Sequence, residues 1–416
     1  MLQLEQLTLK RGELTLFKDV SLFLSAGDCA LIGGATGCGK SSLLLAVAGL
    51  LEPAAGTIRR PETVGLVMQD PCVQLMREQI GPEVALWLEH QGVDPELMPQ
   101  LVRSALARVG LDLALNTRVG TLSQGQKYRL LIAAQLIAQP QLLLLDEPWA
   151  QLDPQALAEV LDCLTQLQQQ GLTLLICEHH LSPFEALATH SLSLSDKQEG
   201  IAPVLTWPEP GEQMVLTLER FVLSASERTL YQGENLSLAA GQCIALHGAN
   251  GSGKSTLLQA LIGLGEGLEG EWHSVDVSQI ACLLQQPSRQ LFCATALEEL
   301  CFSLTRRGYD TSAAKDQAEV ILEELGLAAH RHRSPLLMSY GQQHLLALAV
   351  QLALAPKLLL LDDPFAGLDA RSQARIWQML NRYCHDGGAI LIASHRPIHE
   401  VSQQWQICAG RLHVAV

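Results

Sequence analysis

Lys40 is the residue around which a chemical reading can be built. It lies in the segment GATGCGKSS, residues 34–42, and the pattern returns as GANGSGKST at 248–256, with Lys254 standing 214 positions after Lys40. Gly34, Gly37 and Gly39, like Gly248, Gly251 and Gly253, let a backbone curl so that successive amides face an anion with no Cβ in the way. A helix beginning at such a loop presents its positive end to the same anion. Lys40 and Lys254 then supply a point charge for the outer phosphates of ATP, Ser41 and Ser255 a hydroxyl for Mg2+, and Ser42 and Thr256 complete the loops. Recurrence in register predicts two nucleotide sites. Cys38, inside the first loop, reads as a small filler whose alkylation should block nucleotide binding.

Acids follow that fit the same chemistry. The apolar runs at 142–145 and 358–361 predict parallel strands covered by helices on both faces, and each run ends in acid, Asp146 with Glu147 and Asp362 with Asp363. Ligands of a doubly wound sheet gather beyond the carboxyl ends of its strands, which brings these acids to the phosphates. Asp146 and Asp362 suit Mg2+, directly or through water; Glu147 and Asp363 suit polarising the attacking water. Two further predicted strands, 172–177 and 389–393, run to His179 and His395, and the recurrence of a histidine there in both copies reads as a γ-phosphate contact.

The elements that must hold these residues repeat along nearly the whole chain. LEQLTLKRGELTLF from Leu4 aligns with LERFVLSASERTLY from Leu218, and Gln69 with Gln285, Ser123 with Ser339, Asp146 with Asp362 and His179 with His395 at a constant spacing of 216. Two domains are expected, 1–196 and 214–416, joined by a linker at 197–213 marked by Pro, Gly and charge. Each is large enough to bury its own core. With 416 residues, 48 % hydrophobic and 17 % charged, the composition is that of a soluble globular protein. No apolar run is long enough to span a bilayer, and MLQLEQLTLK lacks the basic start and apolar segment of a signal peptide. Eleven cysteines without a CxxC pair argue for neither zinc nor disulfides and for a reducing cytosol. A net charge of −15 speaks against nucleic acid as the main partner.

At this point the chain resembles a tandem ATPase subunit of the ATP-binding cassette superfamily. LSQGQ at 122–126 and MSYGQ at 338–342 are similar to its signature loop, Gln69 and Gln285 to its Q-loop, Gln151 to Asp153 and Gly367 to Asp369 to its D-loop, and His179 and His395 to its switch. The resemblance implies an α/β fold: two tandem P-loop NTPase domains, each with a mainly parallel sheet, an antiparallel β part and a helical subdomain. It further implies ATP hydrolysis with Mg2+ at two composite sites of a pseudo-dimer within one chain. The first joins residues 34–42, Gln69, Asp146, Glu147 and His179 with Ser339 and Gly341; the second joins 248–256, Gln285, Asp362, Asp363 and His395 with Ser123 and Gly125. D-loop residues Asp153 and Asp369 adjoin them. Asp363 stands where the family has glutamate, one methylene longer, and slower turnover is expected at its site. The aromatic that stacks on adenine in the family is missing near Lys10 and Arg11 and near Ser224 and Ala225; Arg11 could stack in its place or be a solvated charge.

The segments QDPCVQLM at 69–76 and QQPSRQLF at 285–292, each followed by acid around Glu83 and around Glu298 and Glu299, resemble the Q-helix of energy-coupling factor transporter ATPases. That resemblance implies an importer of a vitamin or transition-metal ion, lodged at the cytoplasmic face of the cell membrane. Its partners would be an integral-membrane scaffold (T-type) subunit and a small substrate-binding membrane subunit, with no nucleic acid. Gln74, Leu75, Gln290 and Leu291 are the residues expected to form the groove for the scaffold's coupling helices. The alternative is a soluble tandem cassette ATPase acting on the ribosome, against which the short interval between halves argues. Zinc-binding cysteines or long coiled coils of a DNA-repair cassette protein are not in the sequence, and the HRHR tract at 330–333 reads as a solvated loop.

Overall fold

Leu142, Leu143, Leu144 and Leu145 are fully excluded from solvent in the computed structural model of this chain, as are Leu358 to Leu361. Alternate members face opposite ways. Leu143 and Leu145 enter one core and Leu142 and Leu144 another, the two-sided burial expected of a central parallel strand. The chain divides into two units, Met1–Gln198 and Glu199–Val416. All residues are described except 12–13, 35–37, 70, 148–151, 153, 179–180, 195–204, 226–227, 266 and 416, together with the side chains of Arg11, Leu14 and Cys72.

The first unit opens with β1 (Leu2–Arg11) and β2 (Leu14–Leu24), which pair antiparallel and are joined on the other edge of β1 by β4 (Ala55–Arg59). A separate parallel sheet follows the order β5 (Val64–Val67), β6 (Leu142–Asp146), β7 (Thr173–Cys177), β3 (Cys29–Gly33) and β8 (His190–Ser193). Helix α1 (Lys40–Ala48) leaves the first phosphate loop and packs between the two sheets. On the other face, α2 (Pro71–Gln74), α3 (Ile80–His90), α4 (Met98–Arg108), α5 (Gln124–Leu136) and α6 (Pro154–Gln169) build the second core.

The second unit repeats this plan with one continuous sheet. Its antiparallel part is β9 (Met214–Ala225), β10 (Arg228–Ala239) and β12 (Leu268–Ser274). Its parallel part is β13 (Ile280–Leu283), β14 (Leu358–Asp362), β15 (Ala389–Ser394), β11 (Cys243–His247) and β16 (Gln403–Cys408). β17 (Arg411–Val414) bridges them, antiparallel to β16 and parallel to β10. The helices are α7 (Lys254–Leu261), α8 (Ala296–Arg306), α9 (Thr311–Glu324), α10 (Tyr340–Ala353) and α11 (Ala370–His385).

The segment expected to link the halves is attached where the structure describes it. Leu205 and Trp207 pack on the core of the second unit, and the Trp207 indole donates to the Glu400 carbonyl at 2.8 Å. Asn381 donates to the Thr206 carbonyl at 3.0 Å, and Gly211 to that of Ala240 at 2.8 Å. Trp207 meets Trp377 edge-on at 6.2 Å, and Trp377 stacks on Phe365 at 4.5 Å. Residues 205–213 therefore belong to the second unit rather than to a free connector, because the apolar surface of a tryptophan drives docking that Pro and Gly content conceals.

Candidate functional site

Helix α1 begins at Gly39 and α7 at Gly253, both in the left-handed region at φ of 104° and 97°. A Cβ on Gly39 would stand 3.0 Å from Leu16 and one on Gly253 2.8 Å from Leu230, so each glycine is required by backbone and by space. The helix starts place Lys40 and Lys254 in buried positions below the loops, Lys40 donating to the Gly34 carbonyl at 2.9 Å and Lys254 to Gly248 at 2.7 Å and Ala249 at 2.8 Å. Ser41 and Ser255 remain exposed at the loop mouth, with Ser42 and Thr256 half-buried behind them. Gly251 is left-handed with open space around it.

The acids stand where the strand ends put them. Asp146 closes β6 and Asp362 closes β14, each buried or nearly so. Asp362 is hydrogen-bonded to the Ser255 hydroxyl, and burial raises its carboxyl above the usual range. A serine hydroxyl beside a carboxylate is a hard-oxygen pair of the kind Mg2+ takes, so the residues fit the ion. Ser41 and Asp146 occupy the corresponding positions of the first unit.

Glu147 and Asp363 both adopt positive φ, 41° and 51°, a region that a side chain disfavours by about 1 kcal/mol or more. Their partners differ. Glu147 lies 3.3 Å from the Lys40 ammonium and accepts from the Gln69 amide at 3.3 Å. Asp363 is paired with the His395 Nδ1 and accepts from the Ser394 hydroxyl at 3.4 Å. The His395 Nε2 is buried without a hydrogen-bond partner. His247, at the end of β11, has its imidazole held below the ordinary range by burial and by Lys254. Gly37, Asp153 and His179 lie outside the described residues, as does the Arg11 side chain.

The signature serines start helices. Ser123 caps α5 and Ser339 caps α10, each in a reciprocal box with Gln126 or Gln342 three residues on. Gly125 and Gly341 are buried in the first turns, and a Cβ on Gly125 would meet that of Ala156 at 2.8 Å. Asp369 caps α11, accepting from the Ser372 amide at 2.7 Å.

The four residues expected to face a membrane partner turn inward. Gln74 accepts from the Met68 amide at 2.9 Å and donates to the Leu66 carbonyl at 2.7 Å; Gln290 makes the same pair with Leu284 at 2.8 Å and Cys282 at 2.7 Å. Leu75 packs against the first core and Leu291 lies within the second. This corrects the expectation: the amides staple the strand end to the helix after the Q-loop, since buried backbone groups need partners. What stands outward beside them is Val73 at 80 % exposed, Met76 at 70 % and Phe292 at 68 %. Phe292 meets Phe302 edge-on at 5.1 Å, with Arg306 over the Phe302 ring. Glu83 and Glu299, buried behind, hold this turn: Glu83 accepts from the Met76 and Arg77 amides at 2.9 and 2.6 Å, Glu299 from those of Phe292 and Cys293. Their equal place in the two repeats was the signal for that role.

Comparison with known proteins agrees with this geometry. The family profile described as ABC transporter matches residues 17–150 and again 231–366. A Bacillus subtilis (strain 168) protein named "Putative HMP/thiamine import ATP-binding protein YkoD" is 28 % identical over 480 residues, covering 95 % of this chain and 87 % of its own. An ABC transporter ATP-binding protein of Methanosarcina acetivorans, also named as putative, is 28 % identical over 487 residues, covering 91 % and 78 %. Among solved structures, archaeal ribosome recycling factor aABCE1 in complex with ribosomal stalk protein aP1 covers 98 % of this chain and 89 % of its own, at a TM-score of 0.64 and 18 % identity. That likeness is one of fold.

Proposed function

Because the chain belongs to the ABC transporter family, as a tandem ATPase matched in both halves, we propose that it energises a membrane importer of the energy-coupling factor type for a vitamin or transition-metal micronutrient. The observation that carries this reading is the pair of outward apolar turns beside the Q-loops, Val73 and Met76 in one unit and Phe292 in the other. Exposed apolar side chains held rigidly by buried glutamates suit docking of helices from a membrane subunit. The thiamine-related name of the Bacillus relative supports an import cargo of that class. Among the described residues no helix is long and apolar enough to cross a membrane, so the membrane part is assigned to partner chains, a scaffold and a small substrate-binding subunit.

Hydrolysis follows from the residues in place. Lys40 and Lys254 with the loop amides bind the phosphates of ATP. Ser41 with Asp146, and Ser255 with Asp362, would hold Mg2+, which when bound neutralises phosphate charge. Phosphate arriving at Lys40 competes with Glu147 for the ammonium, which frees the carboxylate to orient water. Ser123 and Gly125, and Ser339 and Gly341, are the signature residues that would contact ATP. Differential affinity for ATP between open and closed forms then drives the membrane partner.

The test is affinity purification of the tagged chain from detergent-solubilised membranes with mass spectrometry of what accompanies it. A polytopic scaffold with a small membrane protein is the expected result, lost in Met76→Asp with Phe292→Asp while ATP binding persists. Recovery of ribosomes would replace the importer with the ribosomal alternative.

A further inference from the structure

Gln69 and Gln285 begin the loops that lead to the outward turns, and the backbone carbonyl of each is tied to a tyrosine. In the first unit the donor is the Tyr128 hydroxyl, and in the second it is the Tyr340 hydroxyl, at 3.2 Å. These tyrosines are not repeat equivalents. At the spacing of 216 that relates the halves here, Tyr128 corresponds to His344 and Tyr340 to Gln124. The two positions are four residues apart on one helix and so share a face. His344 is fully buried with neither ring nitrogen partnered, and Tyr340 leans over it with ring centroids 5.1 Å apart. The second unit thus reaches the same carbonyl from one turn earlier, past a side chain that leaves it alone.

The bond has been kept while the residue making it has moved. A half-buried carbonyl can be satisfied by any donor; what the two units have in common is a donor from the signature helix, capped by Ser123 or Ser339. In the first unit the path continues, because the Gln69 side chain donates to Glu147, and Glu147 lies beside Lys40.

We infer that Tyr128 and Tyr340 are positioning residues for ATP hydrolysis, each fixing the Q-loop glutamine of its unit to the helix that begins at the signature serine. Displacement of α5 is delivered through Tyr128 to Gln69 and from there to Glu147. In the second unit the tie holds the backbone of Gln285, while Asp363 is held by His395. The inference rests on Gln69 and Gln285 serving in hydrolysis.

The experiment measures steady-state ATP hydrolysis by the full chain in four variants. Gln69→Ala comes first: a fall in kcat of about tenfold or more upholds the role of the Q-loop, and an unchanged kcat removes that role and the tether's purpose with it. Tyr128→His should lower kcat about tenfold with KM for ATP changed less than about twofold, as expected for loss of one positioning hydrogen bond. Gln124→Tyr combined with Tyr128→His, which transplants the arrangement of the second unit into the first, should restore kcat to within about threefold of the parent. Tyr128→Phe keeps the ring and the fold and should match Tyr128→His. With Gln69→Ala impaired, the tether is overturned if Tyr128→His and Tyr128→Phe keep full kcat, if KM alone moves, or if the transplant fails to restore a lost rate.

Discussion

Lys40 lies 3.3 Å from Glu147, whereas Lys254, its counterpart, donates to the Gly248 and Ala249 carbonyls and Asp363 is held by His395. The two carboxylates thus begin from different partners and at different reach. Glu147→Gln is expected to lower steady-state ATP hydrolysis by about tenfold or more, and Asp363→Asn by less than about threefold. Single-turnover and steady-state assays of both variants check this; the reverse order would overturn it.

Acid should weaken the second unit through His344. Burial pushes its imidazole down to about 4 from the usual 6.5. A folded pKa below the unfolded one means that the unfolded chain binds more protons between these values. Stability is therefore lost as pH falls from about 6.5 toward 4, by up to about 3 kcal/mol. Glu299 and Asp362, raised by burial, act with the opposite sign, so the difference between parent and His344→Leu isolates the histidine. Urea unfolding across that pH range should show a flatter dependence in the variant.

Cys38 should alkylate slowly and report on the first site. Its thiol is half-buried and raised above the ordinary range, chiefly by burial, while Cys408 is exposed. Maleimide is expected to label Cys408 first. Later labelling of Cys38 should abolish ATP binding in the first unit, and saturating ATP should protect it; peptide mass spectrometry with and without ATP decides the matter.

Trp207→Ala should release the segment at 205–213. Loss of the indole hydrogen bond and of the edge contact with Trp377 is expected to cost about 2 kcal/mol. Limited proteolysis should then cut within 205–213, and the unfolding midpoint should fall; an unchanged cleavage pattern would show that the docking is dispensable.

Gln290→Ala should damage folding rather than docking. It strips partners from the Leu284 amide and the Cys282 carbonyl, at about 1–3 kcal/mol for each buried group left unpaired. The midpoint of unfolding should drop, whereas Phe292→Asp should leave it within about 0.5 kcal/mol and abolish membrane recovery.

Much of the fold was legible because its signals are local. The apolar runs at 142–145 and 358–361, the glycines before Lys40 and Lys254, and the repeat itself read directly as parallel strands, phosphate loops and two α/β units. The orientation of Gln74 and Gln290 was not legible: a motif fixes which residues lie near a turn, but packing decides which side chains face the core. Tyr128 was missed because its partner Gln69 is 59 residues away and because its counterpart is histidine. Trp207 was hidden by the turn-forming residues around it.

The left-handed backbone at Glu147 and Asp363 has a consequence for breeding this enzyme toward heat. Glycine would sit at either position without steric objection, and asparagine with little. A selection that scored only survival after heating would therefore favour Glu147→Gly as readily as Asp363→Asn, and the winners carrying the former would be durable chains that turn over little ATP.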